Sequence, residues 1–205
     1  GGFYHSGQVC VSVQRVFVPR AELPDFAAEL AEGAEALTVG DPTKAETQCG
    51  PLIRPAEVDR VASWVDAAVQ GGARLAAGGK RMGSTLYQPT VLVDPPDDAD
   101  VSRKEVFGPV VCIYGYDDVD AAIGQANALP YAFQAAVFTD RMSWADYCVE
   151  TLAASAVMVN DHTAFRVDWM PFAGARQSGH GVGGIPFTMH EMQVEKMMVL
   201  RSDEL

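Results

Sequence analysis

The chain has 205 residues, 48% of them hydrophobic, enough for one domain with a sizeable core and too few for two full domains without crowding. A formal net charge of -12 argues against nucleic acid or an anionic membrane surface as partner, since both need a basic face. No apolar run approaches the ~20 residues of a membrane span, and the first residues lack the charged-then-apolar order of a secretory leader.

Gln14 to Val18 is a short β-rich run closed by Pro19, and Asp25 to Leu37 reads as a helix with Leu23, Phe26, Leu30 and Leu37 as apolar positions. Gly40 to Pro51 is turn-rich. Pro55 opens a helix in which Val58, Val61, Ala62, Val65 and Val69 recur at helical spacing until Gly71-Gly72 stop it. Arg74 to Ala77, Tyr87 to Val93 and Val110 to Tyr116 read as strands punctuated by Gly or Pro. Asp118 to Ala128 follows as helix, Ala135 to Phe138 as strand, Arg141 to Thr151 as helix and Ala156 to Asn160 as strand. Such alternation implies parallel crossovers, so the predicted fold is α/β, a mostly parallel sheet with crossover helices. Asp161 to Pro186 is a Gly- and Pro-rich loop of a length that usually lines a site. Glu195 to Leu200 reads as a short apolar strand whose free edge needs cover from another chain.

Four cysteines, Cys10, Cys49, Cys112 and Cys148, stand far apart with no CxxC pair, and read as reduced thiols of a soluble, cytoplasmic protein with no metal site. Cys10 is the chemical candidate, placed where the polar turn His5-Ser6-Gly7-Gln8 meets the strand-like run Val11 to Val18. A buried small hydrophobe is the commoner fate of an isolated cysteine. A papain-type nucleophile also follows a Gln, but the C-G-S-C-W-like run and a well-placed later His-Asn pair are missing. Glu105, before the Phe107-Gly108-Pro109 turn, is on spacing alone a solvated loop end. Two patterns are decoys. Gly179 to Gly184 fits G-x-G-x-x-G, but no strand precedes it and Pro186 stands where a crossover helix should run. His190-Glu191 begins like a zinc-protease motif, with Val194 where the second ligand must stand.

Three groups of residues stand in the order of the aldehyde dehydrogenase motifs: Phe3, Gly7, Gln8, Cys10 and Arg15; Glu105-Val106-Phe107-Gly108-Pro109; and Pro171-Phe172-Ala173-Gly174 through Gly179. Gln88-Pro89-Thr90-Val91, Ala135 to Thr139 and Val159-Asn160 match between them. From Phe3 to Leu200 the chain resembles the carboxyl-terminal, catalytic part of that superfamily. The resemblance implies that Cys10 attacks a small aldehyde substrate, that Glu105 binds the nicotinamide ribose hydroxyls of NAD or NADP, and that Phe107 holds the nicotinamide side. Phe172 and, near it, Phe165 are implied as walls of the aldehyde pocket. Arg166, with His162, offers positive charge to an anionic aldehyde, such as one bearing a carboxylate or phosphonate; the alternative for Arg166 is an ion pair with Asp168 or Asp161. Glu57 and Arg60 roughly align with adenosine contacts, although a solvated helix face is the plainer reading.

The same resemblance implies that residues 1–205 form a partial catalytic domain. The family's general-base Glu, its oxyanion Asn and its Rossmann-like cofactor domain all belong upstream of this sequence, so the chain alone is expected to be inactive as a dehydrogenase. Residues 195–201 are implied as a homo-oligomer contact, a strand added to a neighbour's sheet. Two departures stand out: Ala173 where glycine is usual, and Arg176 where Lys is usual. A silent fragment or paralogue acting as a partner-binding piece, or a residual thiol esterase, are the alternative functions.

Overall fold

The structure, a computed structural model, describes residues 1–204. β1 (Arg15–Pro19) is followed by α1 (Leu23–Glu35), α2 (Pro55–Gln70), β2 (Arg74–Ala77), β3 (Thr90–Val93), the one-turn α3 (Asp100–Arg103), β4 (Val110–Tyr116) and α4 (Val119–Asn127). Then come β5 (Tyr131–Ala132), β6 (Gln134–Val137), α5 (Met142–Thr151), β7 (Ala156–Val159), β8 (Ala175–Arg176) and α6 (Ile185–Glu191).

The main sheet has the order β1-β4-β3-β2, parallel across its first three strands and antiparallel at β2. Its strands alternate between two cores. Phe17, Leu92, Cys112 and Tyr114 face α2, where they meet Val58, Val61, Ala62, Val65 and Ala68. Val16, Val18, Val91, Val93 and Ile113 face α1 and its Leu23, Ala27 and Ala34. Continuous apolar strands covered by helices on both faces are what a buried parallel sheet requires. β6, α5 and β7 form a separate parallel crossover unit, and β5 pairs with β8 antiparallel. The fold is α/β with mostly parallel strands, as the alternation predicts.

Several boundaries differ for local reasons. In α2, Ala68 and not Val69 completes the buried stripe, and in α1 Phe26 lies on the outer face, 38% exposed. β3 begins only at Thr90: Pro89 has no N–H to give a ladder, and Tyr87 makes an isolated bridge with Arg81 instead. The long loop is not wholly irregular, since β8 and α6 lie in it and beyond it. Pro186 does not block a helix there; it sits in the first turn of α6, where its missing N–H costs nothing. Residues 192–204 hold no helix or strand, so the expected terminal strand at 195–200 is absent. A strand needs a ladder partner, and the backbone of residues 194–201 finds none among the described residues. Among the described residues no helix is long and apolar enough to cross a membrane.

Candidate active site

Three consecutive left-handed residues lie just before Cys10. His5 (φ 48°), Ser6 (φ 58°) and Gly7 (φ 70°) close the 3-10 turn Tyr4–Gly7. The two that carry a Cβ each cost about 1–2 kcal/mol in this region. Hydrogen bonds to the segment before α2 hold the turn in place. The buried Ser6 Oγ donates to the Gly50 carbonyl at 2.6 Å and accepts from the Cys49 thiol at 3.6 Å. Gln8 Nε2 donates to the Pro51 carbonyl at 3.1 Å, and Gln8 Oε1 accepts from the Ile53 N–H at 2.9 Å. Cys10 follows at the surface with a free thiol. Its N–H donates to no acceptor among the described residues, leaving a free backbone donor beside the sulfur. Burial, and then the charge of an ionised Cys10, raise the Tyr4 phenol above its ordinary range.

The back of this turn rests on the Glu105 to Pro109 loop. A Cβ on Gly7 would lie 2.1 Å from the Gly108 carbonyl oxygen, so only glycine allows the approach. Gln14, at the entry to β1, reaches across: its Oε1 accepts from the Val106 N–H at 2.8 Å, and its Nε2 donates to the carbonyls of Lys104 at 2.7 Å and Val101 at 3.0 Å. From α2, Arg60 donates to the Val106 carbonyl at 2.7 Å. Phe107 takes a left-handed φ of 49° with its side chain partly exposed. Cys10, Gln14, Glu105 and Phe107 thereby line one cleft of about 80 Å³. Glu105 forms no ion pair among the described residues, and its carboxylate is free to accept hydrogen bonds from a diol.

The residues expected on the aldehyde side lie elsewhere. Phe172 packs edge-on against Phe133, with ring centroids 5.0 Å apart, and both line a second cleft of about 300 Å³ beside Gly179 to Gly183. Arg166 does not pair with Asp161 or Asp168; its guanidinium stacks on Phe172, 4.3 Å from the ring centroid. Phe165 and Arg166 line neither cleft. One hydrogen bond ties this loop to the Cys10 turn: the buried Thr163 Oγ1 donates to the carbonyl of Val11, the residue after Cys10.

The departures from the family motif have local explanations. Ala173 avoids positive φ, whereas a Cβ on Gly174 would meet the Ser178 carbonyl at 2.5 Å; the glycine that geometry demands is therefore kept. Arg176 donates from the single nitrogen Nη1 to the carbonyls of Asn127 and Leu129, both at 2.6 Å, at the end of α4. Glu57 and Arg60 are spent on one another at 2.8 Å, with Arg54 as a second partner of Glu57, so their polar atoms serve α2 and the Val106 loop. Gln14 and Thr163 carry no sequence signal of their own, because each acts through a backbone group roughly ninety or more residues away, which no periodicity reports.

The sequence model of the aldehyde dehydrogenase family matches residues 1–198. A 3-sulfolactaldehyde dehydrogenase from Priestia megaterium is 41% identical over 198 residues, covering 97% of this chain and 41% of that protein. A betaine aldehyde dehydrogenase from Sinorhizobium fredii is 38% identical over 186 residues, covering 88% of this chain and 38% of its own. Among solved structures, an aldehyde dehydrogenase from Physcomitrella patens in complex with the reaction product succinate has a TM-score of 0.88 at 32% identity, covering 91% of this chain and 39% of that one. The glyceraldehyde-3-phosphate dehydrogenase of Methanocaldococcus jannaschii complexed with NADP has a TM-score of 0.88 at 34% identity, covering 93% and 41%. The chain thus spans about two fifths of the length of the curated relatives it matches. With a match over nearly all its residues and with the fold and the ordered motifs in agreement, the chain belongs to the aldehyde dehydrogenase family.

Proposed function

We propose that residues 1–205 are the nucleophile-bearing, catalytic domain of an NAD(P)-dependent aldehyde dehydrogenase that oxidises an aldehyde to a carboxylic acid. One observation carries the reading: Cys10, Glu105 and Phe107, far apart in sequence, line a single cleft. The Cys10 thiolate adds to the aldehyde carbonyl carbon, and the electron pair of the C=O bond moves to oxygen, where the Cys10 N–H is free to receive it. When bound, the nicotinamide of NAD or NADP accepts the hydride that leaves this carbon, and a thioester to Cys10 remains. Water then adds to the thioester carbonyl carbon and the carbon–sulfur bond breaks, releasing the carboxylate and restoring the thiolate while the two protons of the water pass to solvent. Glu105 suits the cofactor's ribose diol because its carboxylate has no partner, and Phe107 offers an exposed apolar wall beside it.

Arg166 supports an aldehyde with an anionic tail: its charge is unpaired and is held on Phe172, as a receptor for such a group would be. The Priestia relative's name, a 3-sulfolactaldehyde dehydrogenase, points the same way. Phe165 and Phe172 then form the apolar side of the approach. The exposed side chains of Met197, Met198, Val199 and Leu200 support residues 195–201 as a homo-oligomer contact, and three buried free thiols suit a reducing cytoplasm.

The test is aldehyde-dependent NADH or NADPH formation by the full-length protein carrying this sequence, across short, aromatic and acidic aldehydes. Turnover is expected, highest with an acidic aldehyde, and lost in Cys10→Ala without a change in melting temperature. Turnover that survives in Cys10→Ala would exclude the thiol as nucleophile.

A further inference from the structure

We propose that Gln14 is the positioning residue of the cofactor side: its amide sets the backbone on both sides of Glu105 and so determines how the protein holds the nicotinamide cofactor. The inference rests on the dehydrogenase reading above and names a residue that this reading does not use.

The argument begins with the amide itself. Val106 N–H is a donor, whereas the Lys104 and Val101 carbonyls are acceptors, so only one orientation of the Gln14 amide satisfies all three. The carbonyl before Glu105 and the N–H after it are therefore both bonded to one side chain. No other side chain among the described residues bonds to either group. Gln14 is in turn fixed by its own carbonyl, which accepts from the Cys112 N–H at 2.8 Å where β1 joins β4. The sheet thus fixes Gln14, Gln14 fixes the Glu105 backbone, and the Glu105 side chain shares a cleft with Cys10. Cys10 is held chiefly through Ser6 and Gln8, which bond to the segment before α2, and shares with the Glu105 loop only the Gly7–Gly108 contact, so the two halves of the site respond unequally to mutation at Gln14.

Gln14→Glu tests this without changing side-chain length. One carboxylate oxygen still accepts from Val106, but the other is turned toward two carbonyl oxygens, and residue 105 must move away. Misplacement of about 1 Å costs on the order of a hundredfold where geometry matters.

In the full-length protein, NADH and NADPH binding followed by fluorescence should weaken about tenfold to a hundredfold in Gln14→Glu. In Gln14→Met, which brings no charge into the cleft, Cys10 alkylation by iodoacetamide should slow far less than cofactor binding weakens, and in both variants the Val106 amide should exchange its hydrogen faster. Combined with Glu105→Gln, the substitution should weaken binding no further than Glu105→Gln alone, because both act through one contact. Gln14→Met removes all three hydrogen bonds, the one from Val106 included, and serves if the carboxylate prevents folding. Unchanged cofactor binding in both Gln14 variants, losses that multiply in the double variant, or alkylation that slows in step with binding would each overturn the inference. Absence of cofactor binding in the unaltered protein would overturn the dehydrogenase reading itself, an outcome distinct from failure of Gln14 alone.

Discussion

Replacing Gly7 with alanine puts a methyl group where the structure has room for none. The new Cβ would lie 2.1 Å from the Gly108 carbonyl oxygen, 2.5 Å from its carbon and 3.1 Å from the Pro109 nitrogen, all backbone atoms that have no rotamer to escape into. A φ of 70° adds about 1–2 kcal/mol for any residue with a Cβ. Relieving the contact requires the nucleophile turn and the Glu105 to Pro109 loop to part by roughly 1 Å, with overpacking strain of about 1–3 kcal/mol. Together these give about 2–5 kcal/mol, or a fall in melting temperature of roughly 4–20 °C for a chain of this size. On the proposed reading the functional loss should be larger in proportion, since a displacement of about 1 Å between Cys10 and the cofactor side of the cleft costs on the order of a hundredfold in kcat/KM. Differential scanning calorimetry beside steady-state kinetics measures both. A Gly7→Ala protein with unaltered melting and unaltered kcat/KM would refute the close contact on which the account of the cleft depends.

Two further outcomes concern stability. Burial pushes the Cys112 thiol and the Tyr87 phenol each up to about 12, from ordinary values of 9.0 and 10.0, so their contribution is intact below about pH 9 and is lost as pH rises toward 12. Urea unfolding should show stability falling by about 1.4 kcal/mol per pH unit for each group; Tyr87→Phe should remove one group's share of that slope. It should leave neutral stability unchanged or higher, because the buried hydroxyl has no hydrogen-bond partner among the described residues. Arg176→Ala should lower stability by about 1–2 kcal/mol through loss of the charged cap on α4, whereas Arg176→Lys should stay within about 0.5 kcal/mol, since one nitrogen makes both bonds. Equal losses in the Ala and Lys variants would count against this.

How far the fold was legible follows from which interactions are local. The stripe Val58, Val61, Ala62, Val65 announces α2 because burial at helical spacing is written into neighbouring residues, and Asp118 announces α4 because its carboxylate accepts from the Asp120 and Ala121 N–H groups. The ends were less legible. Val69 and Ala68 are equally apolar neighbours, and only the neighbouring layers decide which one faces inward. β8 and β5 are two-residue pairings held by Arg176 and Ser178, contacts made across more than forty residues, and nothing in their composition marks a strand. Glu195 to Leu200 is the converse case. Its composition is that of a strand, but strand identity belongs to a pair, and the expected second member lies in another chain rather than among the described residues.

The site divides along the same line. Cys10, Glu105 and Phe107 were legible as residue types within motifs, whereas their meeting in one cleft depends on β1 and β4 lying side by side, in register from Arg15 with Cys112 onward. That adjacency places Gln14 opposite the chain leading into β4, and there a side chain of ordinary composition becomes a bridge between the two motifs. The aldehyde-side residues lack such a strand. Phe165, Arg166 and Phe172 hang from a loop tied to the Cys10 turn through Thr163, and Phe172 is further held by packing on Phe133 and by paired backbone bonds with Gly183. On the proposed reading the thiol and cofactor contacts rest on sheet geometry, and tail recognition falls to a loop segment whose sequence can change with less disturbance to either. Substrate preference should therefore shift with substitutions between residues 161 and 172, and cofactor affinity with substitutions at Gln14 and Glu105.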